Sequence, residues 1–280
     1  MFKCTLTTIS SFIFILLFSH NSFADAHDRT IRFGSVAMDT PQVMHKRLLP
    51  LTQYLSQTLQ RPVELVVAAN MSTAIHDVSA GNVHLAYLTP VAYIRSHEKT
   101  ETRLIAKTIT DNKPGFKLNI VVRNDSPIHT VDQLANKRFA FGDPSALLQR
   151  VVFSDTGIKF KQLKHYDFLD HHDNIIRGVL HRDYDAGIVK DTMAYKWRHK
   201  GIRTIYSSNE LPPFNVTAAP MLDKQLYQQI RNAFLRLDIN NPEHQEVIRG
   251  LDPIYTGFGD TDDREYDIVR TLTHPFDKAE

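Results

Sequence analysis

Apolar positions along the chain switch between two periods. At residues 30–37 (TIRFGSVA) and 63–68 (VELVVA), β-branched and aliphatic residues run together as they do in buried strands. Between these runs, Leu48, Leu49, Leu51, Tyr54, Leu55 and Leu59 recur on one helical face across residues 44–60, which predicts a helix with an apolar stripe. A second helix is expected from a cap at Asn70 or Ser72 through Ser79, ended by Gly81. Residues 83–88 (VHLAYL) predict a third strand, with a helix opening near Pro90, where a missing N–H costs nothing in the first turn. Strand, helix, strand, helix, strand is the order of parallel αβ units.

The second half repeats the alternation. Strands are expected at 119–122, 138–141, 162–166, 186–189 and 203–206, with a short helix within 125–136 and helices at 172–180 and 192–200. The strand at 138–141 runs into Gly142-Asp143-Pro144-Ser145, where Ser145 is expected to cap a helix. Pro212-Pro213 interrupts the pattern, 215–219 is extended, and the tail from Lys224 is expected to be mainly helical. No low-complexity linker separates the two halves. The chain is therefore expected to form an α/β protein of two lobes joined by extended crossings near 117–122 and 213–218, with one lobe of 25–116 plus 217–280 and the other of 117–216.

The first residues read as a targeting segment. Lys3 precedes the apolar run around residues 9–18, and Ser22-Phe23-Ala24 fits a small-x-small cleavage site, so residues 1–24 are expected to be a signal peptide. Cys4 is the only cysteine and lies before the apolar run, so it is no acylation site; disulfides and thiolate metal sites are excluded with it. Lys+Arg 33 against Asp+Glu 31, without a basic block, argues against a grip on nucleic acid. These features point to a globular protein exported to the periplasm.

Sequence motifs for catalysis are absent: there is no Gly-x-Ser-x-Gly elbow, no Gly-x-x-x-x-Gly-Lys loop and no Gly-x-Gly-x-x-Gly turn. His171-His172-Asp173 could suggest a metal site, but adjacent histidines face different ways and no third ligand stands at helical spacing. No metal, cofactor or enzymatic activity is expected. Asp185 and Asp191 flank the 187–189 strand; Asp185 reads as a turn residue, and Asp191 as a group that could reach a ligand.

The collinear segments GNVHLAYLTPVAYI, VVRNDSPIHTVDQLANKRFAFGDPS, HHDNIIRGVLHRDYDAGIV, PPFNVTAAP and YTGFGDTDDREYDIVR resemble the phosphate/phosphite/phosphonate-type (PhnD-like) periplasmic solute-binding proteins of ABC importers. The resemblance covers nearly the whole chain after residue 24. It implies a two-lobed type II periplasmic-binding-protein fold with two crossover hinge segments, a small anionic ligand such as a phosphonate or phosphate in the inter-lobe cleft, delivery to an ABC permease, and a monomer. It places Thr89, Tyr93 and Met71 on the first lobe's side of the cleft and Ser145, Ala146, His172 and Asp191 on the second's. Helix N-termini at Pro90 and Ser145 would supply the N–H groups that hold an anion. The chain departs from the family at three places: Pro144-Ser145-Ala146-Leu147 replaces a Ser-Thr-Ser-Gly run, Met71 replaces an aromatic residue, and Phe214-Asn215-Val216 lacks an acid that could hold a ligand amine. These departures keep two other readings open, a ligand sensor presented to a membrane histidine kinase and a secreted hydrolase.

Overall fold

The computed structural model describes residues 30–36, 40–110 and 115–277; the expected signal peptide lies outside the described residues. Two mixed sheets organise them. The first has β1 (Ile31–Ser35), β2 (Val63–Val67), β3 (Leu85–Leu88), β4 (Arg103–Thr110), β10 (Asn215–Ala218) and β11 (Tyr255–Gly259) in the order β11-β4-β10-β3-β1-β2. The second has β5 (Leu118–Arg123), β6 (Arg138–Phe141), β7 (His165–Phe168), β8 (Ala186–Lys190) and β9 (Ile202–Ser207) in the order β7-β6-β8-β5-β9. The chain passes from the first sheet to the second between Thr110 and Leu118, and returns between Ser207 and Asn215. The two passages are themselves paired, since Phe116 and Leu211 exchange N–H···O bonds of 3.0 and 2.8 Å.

The helices follow the sequence pattern closely. Helix α1 (Pro41–Leu59) buries Met44, Leu48, Leu51 and Leu55 on one face. Asn70 caps α2 (Met71–Ala80) by accepting the Thr73 N–H at 2.8 Å, and Gly81 ends it in the left-handed region at φ 76°. Thr89 caps α3 (Pro90–Thr100) through the Ala92 N–H at 3.2 Å, with Pro90 in the first turn. In the second sheet's layer, α5 (His172–Leu180) lays fully buried Ile175, Ile176 and Val179 on the strands, each worth roughly 1.5–3 kcal/mol when removed from water. Gly187 in β8 makes that approach possible, because a Cβ there would meet Ile175 Cγ2 at 2.4 Å.

Four expectations need correcting. The segment within 125–136 forms only a single 3-10 turn, Val131–Leu134, closed by Thr130 and Gln133. Helix α4 (Leu147–Asp155) does not start at Ser145, because the Asp143 carboxylate accepts the Ser145 N–H at 2.7 Å and holds a turn where the helix would begin. The helix expected at 192–200 is α6 (Asp191–Trp197). The tail contains α7 (Lys224–Leu235), α8 (Pro242–Leu251) and α9 (Asp267–Asp277), but it also carries β11, a strand of the first sheet that pairs antiparallel with β4.

Strand direction positions the cleft. β1, β2 and β3 are mutually parallel, as are β6, β7 and β8, and ligands in open α/β sheets gather at the carboxyl ends of such strands. Here both sets of carboxyl ends face one space between the sheets.

Candidate functional site

That space is a cavity of about 70 Å³, room for only a handful of non-hydrogen atoms. The first sheet contributes Val36 after β1, Met71 at the first turn of α2, and Thr89 and Val91 around the start of α3. The second contributes Asp143 after β6, Asp170 after β7, Lys190 at the end of β8, His172 at the start of α5, and Ala146, Leu148 and Gln149 around the start of α4. Phe116 and Phe214, one on each passage between the sheets, close the hinge side with their rings 5.1 Å apart.

Lys190 is the central charge. It is 4% exposed, and its Nζ donates to Asp252 Oδ2 at 2.9 Å and to the Tyr255 hydroxyl at 3.0 Å. Tyr255 shares a further 2.7 Å hydrogen bond with the Tyr87 hydroxyl, so a buried polar chain runs from β3 to β8 across the two sheets. Burial by itself would discharge the ammonium, but the Tyr255 oxygen and the Asp252 carboxylate outweigh it and hold the Lys190 pKa above its ordinary value. The ammonium also lies 4.7 Å from the Phe214 and Tyr255 ring centroids, close enough for a cation–π attraction.

The remaining polar groups divide into donors and acceptors. Gln149 is 5% exposed and spends its Oε1 on the Gly142 N–H at 2.7 Å, which leaves its amide N–H groups for the cavity. Asp143 spans the cleft: its Oδ1 accepts the Ser145 N–H, and its Oδ2 accepts the Met71 N–H of α2, in the opposite sheet's layer, at 2.9 Å. His172 Nδ1 is shut off from solvent and has no hydrogen-bond partner. Burial, then the Lys190 charge, pushes the His172 pKa down to about 4, so the ring is neutral near pH 7.

Thr89 and Met71 from the first lobe and Ala146 and His172 from the second, all singled out from the sequence, thus line one cavity. Three others do not. Tyr93 is 1% exposed and points into the first lobe, its hydroxyl donating to Asp263 Oδ1 at 2.7 Å and its ring packing edge-on against Tyr266. Ser145 is not among the residues that line the cavity, its N–H is taken by Asp143 Oδ1, and Ala146, the residue before α4, offers no side-chain cap. Asp191 turns to the backbone: its oxygens accept the Lys117 N–H at 3.1 Å and the Thr192 N–H at 2.8 Å, while burial raises its pKa. Asp185, read as a turn residue, binds the Arg138 guanidinium and N–H. Sequence reasoning missed Lys190, Gln149 and Asp170 and read Asp143 only as part of the loop before a helix; Gln149 carried a signal, a polar residue directly after Leu147 and Leu148.

The sequence profile of the family described as "ABC transporter, phosphonate, periplasmic substrate-binding protein" matches residues 33–266, the region that builds both sheets and the cleft. The chain belongs to this family. Among curated relatives, the phosphate-import protein PhnD of Mycolicibacterium smegmatis is 23% identical over 276 residues, covering 88% of this chain and 86% of the relative. The phosphonates-binding periplasmic protein of Escherichia coli is 23% identical over 148 residues, covering 49% of this chain and 44% of that protein, so this second match spans less than half its length. The fold matches PhnD1 of Prochlorococcus marinus, solved in complex with methylphosphonate, with a TM-score of 0.82 at 18% identity over 89% of this chain and 99% of PhnD1. The type II two-lobed architecture expected from the sequence is the architecture of the molecule.

Proposed function

We propose that this family member takes up a small tetrahedral oxyanion, a phosphonate or phosphate with little or no organic substituent, and hands it to the permease of an ABC importer. The observation that carries the reading is the pairing of a buried cation, Lys190, with the free amide of Gln149 in a cavity of about 70 Å³ whose other walls are mostly apolar. Such a space suits an anionic head that takes hydrogen bonds and a methyl-sized group that meets Val36, Val91, Leu148 and Phe214.

The same reading includes export by cleavage after Ala24, action as a monomer, and capture without chemical change of the ligand. Family membership supports capture and transport over hydrolysis or signalling. Titration calorimetry of the mature protein with methylphosphonate and with inorganic phosphate tests the proposal. Binding should be saturable, should raise the melting temperature with ligand concentration, and should reduce the radius of gyration as the lobes close. Absence of heat, thermal shift and compaction with both ligands would refute it.

A further inference from the structure

We infer that the end of the second lobe farthest from the cleft docks reversibly on an anionic phospholipid surface, through the exposed basic and aromatic cluster of Tyr195, Lys196, Arg198 and Lys200. This surface lies outside the cleft, and its role is independent of what the cleft binds.

The chain as a whole is close to neutral, Lys+Arg 33 against Asp+Glu 31, yet the stretch 195–200 (YKWRHK) holds no acid. The fold carries this stretch away from the cleft. Helix α6 follows Lys190 at the cavity and leads back along the sheet to a turn at Arg198, His199 and Lys200, where β9 begins. The first residue of β9, Ile202, pairs with Arg123, at the opposite end of β5 from the cavity residue Leu118. Two more basic residues meet the turn there: the Asn124 N–H donates to the Gly201 carbonyl at 2.9 Å, and Arg123 reaches the Val179 carbonyl of α5 at 3.2 Å, two residues before the turn that holds His181 and Arg182. Arg123 and Arg182 share Asp125, at 3.0 and 2.8 Å, and among the described residues no carboxylate pairs with Lys196, Arg198 or Lys200. The helix dipole accounts for a cation or two at such an end, but α6 has only 7 residues, and Arg123 and Arg182 come from other elements.

The aromatic residues decide which anionic partner fits. Tyr195 is 59% exposed, and the Arg198 guanidinium lies flat above it, 3.3 Å from the ring centroid, while donating to the Tyr195 carbonyl at 2.7 Å. Trp197 packs on the apolar layer beneath α6, and Lys200 Nζ stands 5.5 Å from its ring centroid. Tyr195 and Arg198 also wall an open groove of about 600 Å³ beside α6, so nothing in the fold covers the pair. A protein interface has an apolar centre depleted of charge, whereas here a cation lies over each ring. A lipid surface asks instead for cations at the phosphates and for tyrosine and tryptophan at the same depth. Each lysine or arginine held at such a surface strengthens binding about fivefold, so Lys196, Arg198 and Lys200 together contribute about a hundredfold. That is enough for a reversible association, and it leaves the cleft free.

The experiment is sedimentation of the mature protein with vesicles of phosphatidylcholine alone and of equal parts phosphatidylglycerol and phosphatidylcholine, at low and at physiological salt. The mixed vesicles should bind at least about tenfold more tightly than phosphatidylcholine alone, and salt should weaken the association. The triple variant Lys196→Gln, Arg198→Gln, Lys200→Gln should lose about a hundredfold in affinity for the mixed vesicles, with an unchanged melting temperature. A variant matched in net charge, Lys159→Gln, Lys161→Gln, Lys164→Gln, alters exposed lysines elsewhere on the lobe and should bind as the wild type does. Equal binding to both vesicle types, no binding to either, or an equal loss in the matched variant overturns the proposal. Capture of poly-glutamate without capture of the vesicles overturns it too, in favour of an acidic protein partner. Titration of methylphosphonate into the Lys196, Arg198, Lys200 variant should give the wild-type result, so the cleft reading stands or falls separately.

Discussion

Lys190 Nζ at the end of β8 lies 2.9 Å from Oδ2 of Asp252, just after α8, and the two side chains are 5% and 7% exposed. The pair ties one lobe to the other at the floor of the cleft. Removing one partner leaves a buried charge without compensation, so Lys190→Met should cost about 3–5 kcal/mol of stability. Replacing both, as Lys190→Met with Asp252→Leu, should recover at least half of that loss, because a buried ion pair often gains little over well-packed apolar residues. Equilibrium denaturation of the two variants checks the order, and ligand affinity should be lost in both.

His172 makes folding stability depend on pH in a defined window. Its pKa is about 4 in the folded protein against an ordinary 6.5, so between those values the unfolded chain binds more protons than the folded one. The neutral ring's contribution is complete above about pH 6.5 and is lost as pH falls toward 4, on the order of 3 kcal/mol in all. His172→Gln should flatten this part of the melting temperature profile. An equal slope in the wild type and the variant would place the titration elsewhere.

Tyr93→Phe separates the family's usual cleft tyrosine from the one in this chain. The hydroxyl is bound to Asp263, which keeps the Arg270 guanidinium at 2.6 Å and is partly open to water. The substitution should therefore cost about 1 kcal/mol of stability and leave ligand affinity within about twofold. A tenfold loss of affinity in calorimetry would put Tyr93 in the cleft after all.

Gly187→Ala tests how α5 is seated. The added methyl would lie 2.4 Å from Ile175 Cγ2 and 3.2 Å from the Ala140 carbonyl oxygen, so the helix must move outward. A cost of about 1–3 kcal/mol is expected, with weaker ligand binding because His172 rides on the first turn of that helix. Unchanged affinity at reduced stability would show that His172 is not needed at its present position.

The parts legible in sequence are those decided by neighbours along the chain. Asn70, Gly81 and Pro90 announced the ends of α2 and the start of α3, and the α1 stripe and the α5 limits came directly from spacing. Lys190 was hidden because what buries it lies 62 and 65 residues further on, at Asp252 and Tyr255. Asp191, its neighbour, looked the better ligand group, yet successive residues at a strand end point opposite ways, and here the lysine faces in. Ser145 misled for a similar reason: a hydroxyl before helix formers is a sound cap signal, but Asp143 two residues earlier takes the N–H first. β11 escaped notice because YTGFG has the glycines of a loop and becomes a strand only by pairing with β4.

The position of β10 bears on the order in which the molecule can assemble. This strand lies between β3 and β4, antiparallel to both, although more than a hundred residues separate it from either in the chain. The sheet that contains it has a gap at its centre until Ala218 is available, and its far edge waits for Gly259. The other sheet is built from one continuous stretch, Leu118 to Ser207, and its contacts close shorter loops. It is therefore the natural first folding unit, and pulse-labelled hydrogen exchange should find β5 to β9 protected before β3 and β4. A chain emerging from its N-terminus thus carries a first lobe that cannot lock shut until most of the polypeptide has passed, which leaves a long interval in which it remains open enough to be threaded across a membrane.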